Sequence, residues 1–266
     1  MNRLWYPIGS LLVVAGLFHL GLLAVSGGPW DGPVGWRKPF TFGLSFGLSV
    51  LTLAWVTSLV RLRGRTWLMG AFTAASVVEV SLITLQAWRG VPSHFNMETP
   101  LDALIARTLA AGGGVLIVSV VVMTVAAFRR HAEAAPAMLL AVRAGFVTLL
   151  LAMAFGGVMI ARGLVEVMSG DPRTAYLLAG SLKPAHAVLM HGILLLPALA
   201  WLVADLSVVR LAVWIYAALS AVVSGLALAG ITIVGPSTAS VLAAGAVSGL
   251  GIGALALAKV RARVRA

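Results

Sequence analysis

The chain has 266 residues, 61% of them hydrophobic and only 10% charged, with a mean hydropathy of +1.03. A water-soluble fold cannot hide that much apolar surface, and the apolar residues come in runs of about 20, the length that crosses roughly 30 Å of hydrocarbon. The net charge of +11 lies in short loops and at the C-terminus, beside the apolar runs, which points to a lipid bilayer as the partner and not to nucleic acid. Cysteine is absent, which excludes disulfides, a thiolate nucleophile and a thiolate-held metal cluster.

With Pro, Gly and charges as punctuation, the sequence predicts an all-α integral membrane protein with about eight spans. These fall near 7–26, 39–60, 67–88, 104–128, 138–161, 184–204, 210–233 and 237–258. Helices are required because an open strand leaves backbone groups unpaired in lipid. Residues 1–266 read as a single polytopic domain.

The first run, Pro7 to Ser26 behind Arg3, ends in the small residues Ala24-Val25-Ser26 of a cleavable signal sequence. It is long for a signal core, however, and it contains His19, so it reads better as a retained span. The segment Gly27 to Pro33 is turn-forming, and Asp31 can pair with Arg37 or Lys38. In the second span, Lys38-Pro39 is followed by Gly47 and Leu53-Ala54-Trp55. In the sixth, Lys183-Pro184 is followed by Gly192 and Leu199-Ala200-Trp201. This near-match suggests a four-plus-four parallel repeat with halves 1–133 and 134–266, an arrangement found among transporters.

The third span carries Glu79 near its middle, followed by Gln86. An ionisable group inside a membrane costs several kcal/mol and faces a bundle interior or a water-filled cavity, so Glu79 is a functional candidate or a hydrogen-bonded packing device. The loop that follows, Arg89 to Asp102, is the most chemically mixed part of the chain. Thr99, Pro100 and Asp102 read as a helix start, with Thr99 as N-cap, Pro100 at the first helical position and acid in the first turn. Arg89, His94 and Asn96 are left over, and their side chains suit an anionic or polar small-molecule ligand. Glu166, Asp171 and Arg173 in the loop before the sixth span read as solvated.

Of the 19 basic residues, 12 fall on the side of the N-terminus and 7 on the other, which places both termini in the cytoplasm and the protein in the cell membrane as a multi-pass chain. His19, His94, His186 and His191 then gather at the outer face, and His131 lies in a cytoplasmic loop. Imidazoles at one depth on different helices can ligate haem b or a transition metal. His186 and His191 sit about 140° apart on a regular helix and do not share a metal easily.

The strings Arg89-Gly90 with Ser93-His94-Phe95-Asn96, the helix start after Thr99-Pro100, and His186 with His191 before Leu196-Pro197 resemble a family of bacterial multi-pass membrane proteins with no assigned reaction. The resemblance implies a shared membrane fold and strengthens His94, Asn96, His186 and His191 as site residues. It implies no substrate.

Three functions stay open on these residues. One is a membrane haem or metal protein, redox in character, with His19, His94, His186 and His191 as ligands. Another is a proton-coupled small-solute transporter or channel using Glu79. The third is an accessory subunit. No Walker A loop, G-x-S-x-G elbow or dinucleotide fingerprint is present.

Overall fold

A computed structural model describes residues 4–30, 32–129, 134–170, 175, 180 and 182–231. Seven helices follow in chain order: α1 Trp5–Ser26, α2 Arg37–Val56, α3 Arg65–Trp88, α4 Pro100–Phe128, α5 Pro136–Met168, α6 Lys183–Val203 and α7 Leu206–Leu228. All seven are long and apolar enough to cross a membrane, and the described residues contain no strand. The chain is therefore a multi-pass, all-helical membrane protein. The eighth expected span lies outside the described residues, as do Asp31, His131, Asp171 and Arg173.

Two boundaries depart from expectation for identifiable reasons. Helix α5 does not stop at the charges near Arg162 but runs on to Met168, and its 33 residues reach about 50 Å, well beyond the hydrocarbon. Helix α7 begins at Leu206, four residues early, because Asp205 caps it: the carboxylate accepts from Ser207 N at 2.8 Å and Val208 N at 3.1 Å.

The helices fall into two compact units. In the first, α1 buries Trp5, Gly9, Leu12, Gly16, His19 and Leu23. Their alternating four- and three-residue spacing forms one seam along the helix. Two of the seam positions are glycines because α2 arrives backbone to backbone. A Cβ on Gly16 would lie 2.6 Å from Leu44 N, one on Gly43 would lie 2.8 Å from Gly16 Cα, and one on Gly47 would lie 2.7 Å from Gly9 O. Small residues let helices approach closely where no hydrophobic force drives them together.

Helix α3 closes onto α2 through Arg65, whose Nε donates to Thr57 Oγ1 at 2.9 Å and whose Nη2 donates to Ala54 O. A guanidinium at the α2 C-terminus satisfies carbonyls that have no partner within that helix and complements its dipole.

In the second unit, Gly145 of α5 meets the backbone of Ile193, and Gly192 of α6 meets Thr148 and Tyr216. The Tyr216 hydroxyl donates to Val188 O across α6 and α7. Ala137, Ala141, Leu196, Ala200 and Val209 complete the core around it. The two Lys-Pro strings open α2 and α6, and the glycine that follows each one, Gly47 or Gly192, sits in a tight contact.

The glycine seam yields a direct prediction. Gly43→Val drives a branched side chain into Gly16 and should cost about 1–3 kcal/mol, the usual range for overpacking. Gly113→Ala, where an added Cβ meets nothing within 4 Å, should hold stability or raise it by up to about 1 kcal/mol through better helix propensity. Thermal unfolding in detergent, followed by size-exclusion fluorescence, separates the two.

Candidate functional site

The polar residues of the first unit are organised along one face of α3, which buries Thr73, Ser76, Glu79 and Gln86 at 2%, 0%, 4% and 0% exposure. Helix geometry orders them: seven residues bring Gln86 back to within about 20° of Glu79, while each three-residue step turns about 60°, so Ser76 and Thr73 lie about 60° and 120° round α3 from Glu79. Gln86 marks the end nearer the loops 27–36 and 89–99, here called the loop face. Thr73 lies toward the opposite face, which carries Trp5 and the α2–α3 turn.

At the loop face, Arg89 and Asp102 make an ion pair at 2.6 Å that ties the end of α3 to the start of α4. Gln86 reinforces it, donating to Asp102 Oδ1 at 2.9 Å and to Pro92 O at 3.3 Å, while Arg89 donates to Gln86 Oε1. Thr99 Oγ1 donates to Asp102 Oδ2 at 2.6 Å and accepts from Asp102 N at 3.1 Å, which makes it the N-cap of α4. Arg89 is thus committed to a buried carboxylate, a structural use the sequence reading had not assigned to it.

The rest of the loop is pinned by Phe95. Its backbone has φ +62°, unusual for a residue with a side chain, and its ring fills the space where Gly163 lacks a Cβ: an added Cβ there would lie 2.3 Å from Cζ. His94 packs at 5.9 Å against Phe42, the rings tilted by 48°, and bonds through Nδ1 to Ser93 Oγ at 3.2 Å. Burial among these rings, with the positive charge of Lys38 in addition, pushes its pKa well below 6.5 and keeps it neutral. Asn96 Oδ1 accepts from Glu98 N at 3.1 Å, an Asx turn, and its Nδ2 is buried with no partner among the described residues.

In the sequence Phe95 figures only within the Ser93-His94-Phe95-Asn96 string, and neither Phe42 nor Gly163 stands out. The sequence marks Lys38 only as a partner for Asp31 and as the opening of a Lys-Pro string. Lys38 lines a narrow cleft with Ile83, Ala87 and Ser93, with room for about one water, and its charge bears on His94.

Beneath the cleft, Ile83, Ile105 and Leu109 form a buried apolar plug, with Phe42 and Leu82 packed against it. Glu79 lies one helical turn, about 6 Å, below Ile83 and about 14 Å from the end of α3 at Trp88. Its carboxyl faces Gly112, where an added Cβ would lie 3.2 Å from Oε1. Its Oε2 is buried with no hydrogen-bond partner among the described residues.

The histidines are occupied individually. His19 Nδ1 donates to Ala15 O at 2.7 Å and its Nε2 accepts from Trp88 Nε1 at 3.2 Å, so both nitrogens of a neutral ring are used inside the protein. Trp36 packs on Trp88 at 5.0 Å, part of an aromatic belt at the loop face. In the second unit, His186 donates through Nδ1 to Ala152 O at 2.7 Å, its ring seated against Gly156, whereas His191 is exposed and bonds its own helix at Ala187 O.

Among the described residues no group of three or more His, Asp or Glu side chains could hold a metal ion. The haem or metal reading therefore finds no support in the geometry, and His19 offers no free lone pair to an iron. Compared with family models, curated proteins and solved structures, the chain matches none.

Two outcomes follow. Asp102→Ala should lower the melting temperature more than Arg89→Ala, because Asp102 also serves Gln86 and Thr99. His94 has a depressed folded-state pKa, so the unfolded chain binds the extra proton. Stability should be complete above about pH 6.5 and fall as pH drops below it. Melting curves against pH should flatten over that window in His94→Gln.

Proposed function

We propose that this protein moves a small solute across the membrane in a proton-coupled manner, with Glu79 as the proton-carrying group. The observation that carries the reading is the Glu79 carboxyl itself. It lies at mid-depth in α3, 4% exposed, with Oε2 unsatisfied among the described residues. An ionised carboxyl costs several kcal/mol in such a place, so loss of its proton has to coincide with the arrival of water or a cation. That linkage between charge and wetting is what a coupled carrier needs.

Two further features support it. Gly112 of α4 faces Glu79, and Gly113 and Gly114 follow it in the chain; a run of glycines weakens a helix locally beside the carboxyl. Lys38 places a fixed positive charge in the loop-face cleft, on the same side of α3 as Ile83. A pure packing role for Glu79 would place a donor on Oε2, and none is present among the described residues.

The test needs no knowledge of the solute. Proteoliposomes adsorbed on a solid-supported membrane and given a pH jump should show a transient displacement current as Glu79 takes up its proton. Glu79→Gln should abolish that current, and Glu98→Gln, at an exposed loop carboxyl, should keep it. A wild-type trace equal to that of protein-free liposomes, or one unchanged in Glu79→Gln, overturns the reading.

A further inference from the structure

We infer that Glu79 is reached by water from the face that carries Trp5 and the α2–α3 turn, along a file lined by Ser76, Thr73 and Trp5, while the loop face is sealed. The inference rests on the reading of Glu79 as the proton carrier and adds the side from which its proton comes.

The argument begins with buried polar atoms that lack a partner among the described residues. Three of them, Trp5 Nε1, Thr73 Oγ1 and Glu79 Oε2, belong to α1 and α3 on the stretch between mid-membrane and the opposite face. Trp5 leans on α3 there: an added Cβ on Gly70, one turn before Thr73, would lie 3.6 Å from the tip of its ring. Ser76 sits between Thr73 and Glu79, turned about 60° from each round the buried part of α3, its hydroxyl donating to Phe72 O at 2.8 Å and its oxygen still able to accept. Thr73 lies about 9 Å along the axis from Glu79, a gap that two or three waters bridge.

Native proteins rarely leave buried donors and acceptors unmade, and ordered water settles the account where two to four polar partners converge. An indole N–H, two hydroxyls and a carboxyl in succession provide those partners.

The other direction is built differently. Above Glu79, α3 continues through Val80 and Ile83, both buried, and the plug of Ile83, Ile105 and Leu109 carries no polar side chain. The next polar group on that side, Gln86, has its amide engaged by Pro92, Asp102 and Arg89. An apolar layer of this kind excludes water while the helices stay packed. Thr73 is thus a positioning residue, holding the water file that leads to the group that takes the proton.

The chain has no cysteine, so single cysteines can report the path directly. Thr73→Cys, Ser76→Cys and Ile83→Cys are treated in oriented vesicles with a membrane-impermeant methanethiosulfonate. Ser58→Cys, at the exposed turn after α2, marks the opposite face.

Expected is modification of Thr73→Cys or Ser76→Cys from the same side as Ser58→Cys, at least tenfold faster than that of Ile83→Cys. Two results overturn the inference: neither reporter reacts, or they react only from the loop side. Thr73→Val supplies a second measurement: the pH-jump transient should rise more slowly while the total charge moved stays constant, and an unchanged rise time counts against the path. Labelling does not depend on Glu79 binding a proton, so a failed water path and a failed proton carrier give different results.

Discussion

Hydrocarbon removes the force that assembles soluble proteins, because an apolar side chain gains little by leaving lipid for another apolar side chain. What remains is contact, and the contact between α1 and α2 is as close as two backbones come. Gly16 lies against Gly43, and Gly47 lies against Gly9, in a seam where the missing Cβ atoms are the condition of assembly. That seam fixes the position of α2, and α2 in turn supplies Phe42 to the plug, Lys38 to the cleft and Ala54 to the Arg65 cap. The site on α3 is therefore held in place by residues that have no chemistry of their own.

With packing so dependent on small residues, the few polar ones sort by whether they have a partner. Arg65, Arg89, Asp102, Gln86, Thr99 and Asp205 all satisfy helix ends or one another. They make the boundaries firm at little cost, since each bond replaces one that water would otherwise have supplied. Glu79 is different. It has room beside Gly112 and an oxygen with no hydrogen-bond partner among the described residues. The same economy that ties the loops down makes the exception conspicuous.

Much of this could be read in the sequence. Hydropathy located seven of the spans, since about 20 apolar residues in a row have few other uses. The α4 start was legible from Thr99, Pro100 and Asp102 because capping chemistry is local. Glu79 was legible because a carboxylate in an apolar run stands out. What stayed hidden was every partnership between distant residues. Arg89 looked free because Asp102 was already explained as a first-turn acid. Phe95 belonged to a recognisable string, but its packing role stayed hidden because its notch, Gly163, lies 68 positions further along. The histidines gathered at one end of the topology, yet three of them, His19, His186 and His191, each bond a backbone carbonyl through Nδ1. Shared depth does not imply convergence on a common centre.

The pairing of Phe95 with Gly163 has a consequence for how such a chain can vary. The ring occupies the volume a side chain at 163 would need, and the left-handed backbone at 95 persists only while the ring is anchored. Neither position is free to change alone. A related chain with alanine or serine at 163 should carry a smaller residue or glycine at 95. The two positions are then inherited as a unit, although nothing in the intervening sequence announces that they are joined.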